Sequence, residues 1–143
     1  LMLRSPARFQ QATRRLVDLY RAHSTDILDP SVEDDVVRCY MDAEAYALST
    51  YQTASRLLKG GSIGPEASCN KIFWSELDLR IHETALRILG PRGEVEPVSP
   101  ADRDELGTWL DGFLFAQSGP IYAGTNEIQR NIIAERVLGM PRR

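Results

Sequence analysis

Cysteine and histidine are scarce in this chain, which offers only Cys39, Cys69, His23 and His82 in 143 residues. Their spacing lacks the close pairing of a zinc site or a disulfide framework, so neither device is expected to hold the fold. Two unpaired thiols suit a reducing cytoplasm, and core thiols are the expected reading of both. Positive charge is not in excess either. Seventeen Lys and Arg against twenty Asp and Glu leave a net charge of -3, which offers a nucleic-acid backbone no overall attraction. No apolar run approaches the roughly 20 residues that a bilayer span requires. No charged segment leads into a long apolar stretch at the start, so a signal peptide is not expected, and the opening on Leu1 suggests a piece of something longer. Alternating strand patterns, internal repeats, low-complexity tracts and a heptad register are also missing.

What is present is the composition of an ordinary globular protein, 43% hydrophobic and 26% charged. The length suits one domain with a single core. Ser5-Pro6 opens a first helix, with Ser as N-cap and Pro at the first position, and Phe9, Ala12, Leu16, Leu19 and Tyr20 form its stripe to about Ala22. After Asp29-Pro30, Ser31 with Asp34 resembles a capping box. The stripe Val32, Val36, Cys39, Tyr40, Ala43, Ala47, Thr50, Tyr51, Ala54, Leu58 then predicts a helix over 31–59, more than about 40 Å long. Ser62-Ile63-Gly64-Pro65 starts a third helix, whose stripe is Ala67, Lys71, Trp74, Leu77, Ile81, Ala85, Ile88 and Leu89. Gly90-Pro91 stops it. Residues 92–104 read as a surface loop, Leu106 to Leu114 as a fourth helix, and the run capped by Thr125 or Asn126 as a last helix ending before Gly139. The expected class is all-α: an up-and-down four-helix bundle with an additional C-terminal helix.

Few residues suggest chemistry by pattern alone. Glu33-Asp34-Asp35 sits in a first helical turn, where the helix dipole favours acids, so capping explains it. His82 has no motif around it and reads as a packing or surface residue. The aromatic set Phe73, Trp74, Trp109, Phe113 and Phe115 lies at helical spacing and reads as core. The segment Gly119-Pro120-Ile121-Tyr122-Ala123-Gly124-Thr125-Asn126 is different, because a glycine-bearing turn feeds a capped helix whose first N–H groups are free for an electron-rich ligand group. Any helix starting after a Pro-Gly turn shares that property, so spacing alone leaves a plain structural turn open.

The run Ile121-Tyr122-Ala123-Gly124-Thr125-Asn126-Glu127-Ile128-Gln129-Arg130-Asn131-Ile132-Ile133-Ala134 resembles the C-terminal signature of acyl-CoA dehydrogenases. Ser68-Cys69-Asn70-Lys71-Ile72-Phe73 is similar to the family's small-x-x-Lys-x-Phe helix, and Ala85-Leu86-Arg87-Ile88-Leu89-Gly90-Pro91 falls where the family has Gln-x-x-Gly-Gly. The closing Ile133 to Arg142 is similar to bacterial, especially actinobacterial, members. The resemblance covers essentially the whole of residues 1–143. It implies the C-terminal helical domain of a longer enzyme whose helical N-terminal and β middle domains lie outside this sequence.

The same resemblance implies FAD as cofactor, an acyl-CoA as substrate, an electron-transfer acceptor, and assembly into a homo- or hetero-oligomer. Thr125, Asn126 and Glu127 then occupy places that touch FAD, Gly124 that of a backbone contact to the thioester, and Tyr122 the adjoining pocket wall. Ala123 stands where many members carry the catalytic Glu, and a methyl group cannot accept a proton. The resemblance leaves a base supplied from an earlier helix or a catalytically silent subunit. Asp18, the only carboxylate in residues 1–22, lies too late in its helix to be favoured. In the family the Gln-x-x-Gly-Gly stretch approaches the FAD pyrophosphate held mainly by a neighbouring subunit. Here Arg87 and Gly90 could meet that phosphate, while Pro91 removes an N–H. Of the family's Arg-x-x-Phe-Gly, the chain offers at most Arg21. Some actinobacterial relatives pair two unlike subunits, and this chain would fit such a pair.

Overall fold

A computed structural model describes residues 4–25, 29–65, 67–95 and 108–142. Five α helices and one 3-10 turn make up its regular structure, with no strand among the described residues: α1 (Pro6–His23), α2 (Ser31–Leu58), α3 (Ala67–Leu89), the 3-10 turn Gly90–Glu94, α4 (Thr108–Ala116) and α5 (Asn126–Arg136). Side-chain pairs show the up-and-down order. Gln10 meets Glu44 while Arg4 meets Tyr46, Asp42 meets Arg80 while Asp35 meets Arg87, and His82 meets Trp109 while Trp74 lies beside Gly119. The α1–α2, α2–α3 and α3–α4 pairs are therefore each antiparallel, as short connections favour.

α1 carries Pro6 at its first turn and buries Phe9, Thr13, Leu16 and Leu19. Thr13 is polar but satisfied locally, because its hydroxyl donates to Phe9 O at 2.9 Å. At the start of α2 the expected box does not form. Asp29 Oδ1 accepts the Ser31 N–H at 2.9 Å, and the Ser31 hydroxyl instead accepts from Arg87. The long α2 stripe is buried only in its first half, through Val32, Val36, Cys39, Ala43 and Ala47, with Tyr40 exposed and Tyr46, off the predicted stripe, buried beside them. Tyr51 is 57% and Leu58 89% exposed. The reason is length: α2 has 28 residues and α1 only 18, so the last turns of α2 overhang the helix beside them.

α3 packs against each of the other four helices. Its predicted stripe is buried from Lys71 onward, Trp74, Leu77, Ile81 and Ala85 almost completely, while Ala67 at its start is only partly covered; Ser75, Asp78, His82 and Thr84 are buried too. Each of these polar groups has a partner, as burial demands. Arg8 donates to Asp78 Oδ2 at 3.1 Å, His82 Nδ1 donates to Asp78 O at 2.7 Å, and Thr84 Oγ1 lies 4.0 Å from Cys39 Sγ. Burial pushes the Cys39 thiol up to about 11, as expected of an inert core sulfur, whereas Cys69 is exposed and not the core thiol its sequence context suggested. Phe73 and Phe115 are likewise exposed, contrary to the core reading of the aromatic set, although Trp74 and Trp109 are core. The expected loop after Gly90 begins as a 3-10 turn that buries Gly93. The rest of that loop, and Leu106, lie outside the described residues.

Gly112 sets how closely α4 approaches α3. A Cβ added there would overlap the His82 ring, which sits edge-on to Trp109 at 5.7 Å. The packing reading of His82 therefore holds. Gly112→Ala is expected to destabilise the fold by about 1–3 kcal/mol through overpacking, read as a lower midpoint in urea with an unchanged slope. An unchanged midpoint would show that the two helices can separate freely.

Candidate functional site

The segment joining α4 to α5 is tightly wound. Ser118 O accepts from the amides of Ile121 and Tyr122, each at 3.0 Å, and Pro120 O accepts from the Asn126 amide at 2.9 Å, closing the loop on itself. To fit inside that closure, Ala123 and Gly124 both take left-handed conformations, with φ of 54° and 88°. For Ala123 this is strained backbone. The Gln129 side chain reaches back to donate to Ala123 O at 3.1 Å. Thr125 is the N-cap of α5, its hydroxyl oxygen accepting the Ile128 N–H at 3.3 Å. The amides of Ala123, Gly124 and Thr125 have no hydrogen-bond partner among the described residues, and Ala123 and Gly124 are exposed. Consecutive free amides at the positive end of a helix suit an anionic or carbonyl-like group.

Around this turn the predicted residues divide. Tyr122 is half-buried, its ring 6.0 Å from that of Trp74, and the Arg4 guanidinium covers both rings at 5.6 and 4.9 Å while donating to the Tyr122 hydroxyl. Glu127 is exposed, and the amide of its own residue and the Thr125 hydroxyl hold its carboxyl below the usual carboxylate range. Asn126 faces inward and is only 3% exposed. Its Oδ1 accepts from Lys71 Nζ at 2.7 Å and Ser75 Oγ at 3.2 Å, and its Nδ2 donates to Glu76 at 3.3 Å. Both its side chain and its amide are thus used inside the chain. Burial pulls the Lys71 ammonium below the ordinary lysine range, with Glu127 and Glu76 opposing the shift. Sequence reasoning missed the role of Lys71, although a lysine on the apolar stripe of α3 was the available signal.

Arg87 and Gly90 lie elsewhere. At about 1.5 Å per residue, the stretch of α3 from Lys71 to Arg87 is about 24 Å long, so the two groups of predicted cofactor residues sit towards opposite ends of one helix. The Arg87 guanidinium is already paired within the chain. It donates to Asp29 Oδ2 and Ser31 Oγ, each at 2.8 Å, and to the Asp35 carboxylate. Those hydrogen bonds, from Ser31 and then Arg87, hold the Asp29 carboxyl below its usual range.

Residues 2–138 match the family model for the acyl-CoA dehydrogenase C-terminal domain. The chain belongs to the acyl-CoA dehydrogenase family. Among curated relatives, Acyl-CoA dehydrogenase IpdE1 of Mycobacterium tuberculosis is 33% identical over 117 residues, which is 80% of this chain and 28% of that protein. Acyl-CoA dehydrogenase FadE26 of the same organism is 29% identical over 127 residues, 85% of this chain and 31% of that protein. The chain thus spans less than a third of the length of these relatives. A solved structure titled Tcur3481-Tcur3483 steroid ACAD superposes with a TM-score of 0.78 at 24% identity, covering 96% of this chain and 35% of that one. At that identity the likeness shows the shared fold. Among the described residues no helix is long and apolar enough to cross a membrane, and no group of His, Cys, Asp and Glu is arranged to hold a metal.

The acyl-CoA dehydrogenase turn makes a paired prediction about stability. Gly124→Ala places a Cβ in left-handed backbone and 2.8 Å from Gln129 Nε2, and is expected to cost about 1–2 kcal/mol. A bulky residue at Gly124 is therefore no clean probe of ligand contact, because it disturbs the turn itself. Ala123→Gly relieves the strain at its own position but loosens the unfolded chain, and should fall within about 1 kcal/mol of the parent. Thermal melts of the two variants check this asymmetry.

Proposed function

We propose that the chain is the C-terminal helical domain of a flavin-dependent acyl-CoA dehydrogenase, whose helical N-terminal and β middle domains lie outside this sequence. In this reading it contributes to oligomer formation and to one wall of the FAD and acyl-CoA pocket. The observation that carries the proposal is the exposed turn at the α5 N-terminus, where the amides of Ala123, Gly124 and Thr125 are free to meet an electron-rich group. These donors fit a flavin edge or a thioester carbonyl, and Thr125, Glu127, Gly124 and Tyr122 are the residues that would hold them. Asn126 serves indirectly, since its own polar groups are occupied.

Bound FAD would accept the β-hydrogen of the acyl-CoA as hydride and pass its electrons to a separate acceptor. The chain's own residues supply the surroundings. The α5 N-terminus and its free amides polarise the carbonyl and so acidify the α-carbon. Tyr122, clamped between Trp74 and Arg4, gives the pocket a fixed apolar wall. The base is not in this turn, because Ala123 offers only a methyl group; a carboxylate elsewhere in the assembly takes the α-proton. The acyl group is of the fatty or sterol side-chain class, and the working compartment is the cytoplasm.

A second reading is a non-catalytic partner in a heteromeric dehydrogenase. It is favoured by Ala123 and by Arg87, whose pairing with Asp29 and Asp35 leaves it committed within the chain. In that case a partner subunit completes the cofactor site near Gly90. The test is to purify the full-length polypeptide, alone and with its partner subunits, record flavin absorbance, and add acyl-CoAs with an electron acceptor. Stoichiometric FAD that bleaches on substrate is expected. Colour that appears only with an unlike partner selects the second reading, and a colourless protein at every partner ratio overturns both.

A further inference from the structure

Lys71 is only 1% exposed, on the side of α3 that also buries Ser68, Trp74, Ser75 and Asp78. Its hydrogen bond goes to a neutral amide oxygen, Asn126 Oδ1, while the Glu127 and Glu76 carboxylates offset part of the cost of burying its charge. A buried ammonium paired in this way is costly to desolvate, and an apolar side chain would fill the same space at lower cost. What the charge does must lie in what it holds. Asn126 is tied to α3 through its side chain and to Pro120 through its amide, so residues 120–126 form a closed ring whose far end is anchored to α3 at Asn126. The left-handed Ala123 and Gly124 lie inside that ring, and strained backbone persists only where the surroundings over-determine it. The anchor also sits beneath the first residue of α5, so its charge has the same sign as the positive end of that helix.

We propose that Lys71 is a positioning residue for the flavin-facing turn: acting through Asn126, it fixes the Ala123, Gly124 and Thr125 amides and adds positive potential behind them. It touches neither cofactor nor substrate itself. This inference rests on the reading of that turn as part of the FAD and acyl-CoA pocket. A lysine with a purely structural role would change stability alone. A positioning lysine changes how tightly the flavin is held and how easily it is reduced.

The test uses the assembled holoenzyme carrying Lys71→Met, with Lys59→Met on the exposed end of α2 as control. Flavin affinity is measured by fluorescence titration of the apoprotein, and the flavin midpoint potential by dye equilibration. Circular dichroism and sedimentation report fold and assembly. Losing one charge-assisted hydrogen bond is expected to weaken FAD binding about tenfold, with a more negative potential because the reduced flavin loses a nearby positive charge. Lys71→Arg should recover part of both effects. The double variant Lys71→Met/Asn126→Leu removes both ends of the anchor without leaving either unpaired, and decides the matter if the single variant fails to fold. Wild-type affinity and potential in the folded variants would overturn the inference. A wild-type assembly without flavin would instead overturn the function on which it rests.

Discussion

Every other helix of this domain leans on α3, so α3 must be acceptable to its neighbours around its whole circumference. Apolar residues alone could meet that requirement, but they would not distinguish one neighbour from another. Towards three of those neighbours α3 instead carries a buried polar group with a designated partner: Asp78 for Arg8 of α1, Thr84 for Cys39 of α2, Lys71 for Asn126 of α5. On the α4 side the discrimination is steric, because only glycine fits opposite His82. The apolar stripe supplies the driving force for burial, and these pairs fix which helix goes where.

The same helix separates two groups of residues that a cofactor would have to visit together. The turn before α5 lies near the start of α3, while Arg87 and Gly90 lie at its end. In the proposed function, a domain built this way would present half of a site at each extremity. That geometry accords with pockets completed by a neighbouring subunit, and with Arg87 being held by Asp29 and Asp35 when the chain stands alone.

Much of this was legible in the sequence, because helix limits and caps are local. Pro6, Gly90-Pro91 and the Thr125 cap are found where their chemistry places them, since each acts on backbone within a turn of itself. The α2 stripe misled beyond Ala47, because periodicity reports which side of a helix is apolar but not how long its neighbour is. Tyr46 was missed for the related reason that its burial depends on Phe9 of α1 and on Arg4 just before that helix. Asn126 shows the limit most clearly. Of the two candidate caps the structure uses Thr125, and Asn126, one residue further on, turns inward to Lys71, which is 55 residues away and connected to it by no local rule. The lysine in an apolar stripe signalled a buried charge, though not what the charge was for.

The close approach at Gly112 has a consequence for how the domain can vary. With no side chain between the helices, α4 is keyed against the His82 ring much as a notched shaft is keyed against a pin. The loop that carries Tyr122 and Gly124 hangs from the end of that shaft. Adding or removing one residue within α4 after the notch would turn the loop's point of departure by about 100° and shift it about 1.5 Å along the axis. Length changes are therefore poorly tolerated between Gly112 and Asn126, and variation among such domains has to be accommodated elsewhere, by substitution in that stretch and by insertion outside it.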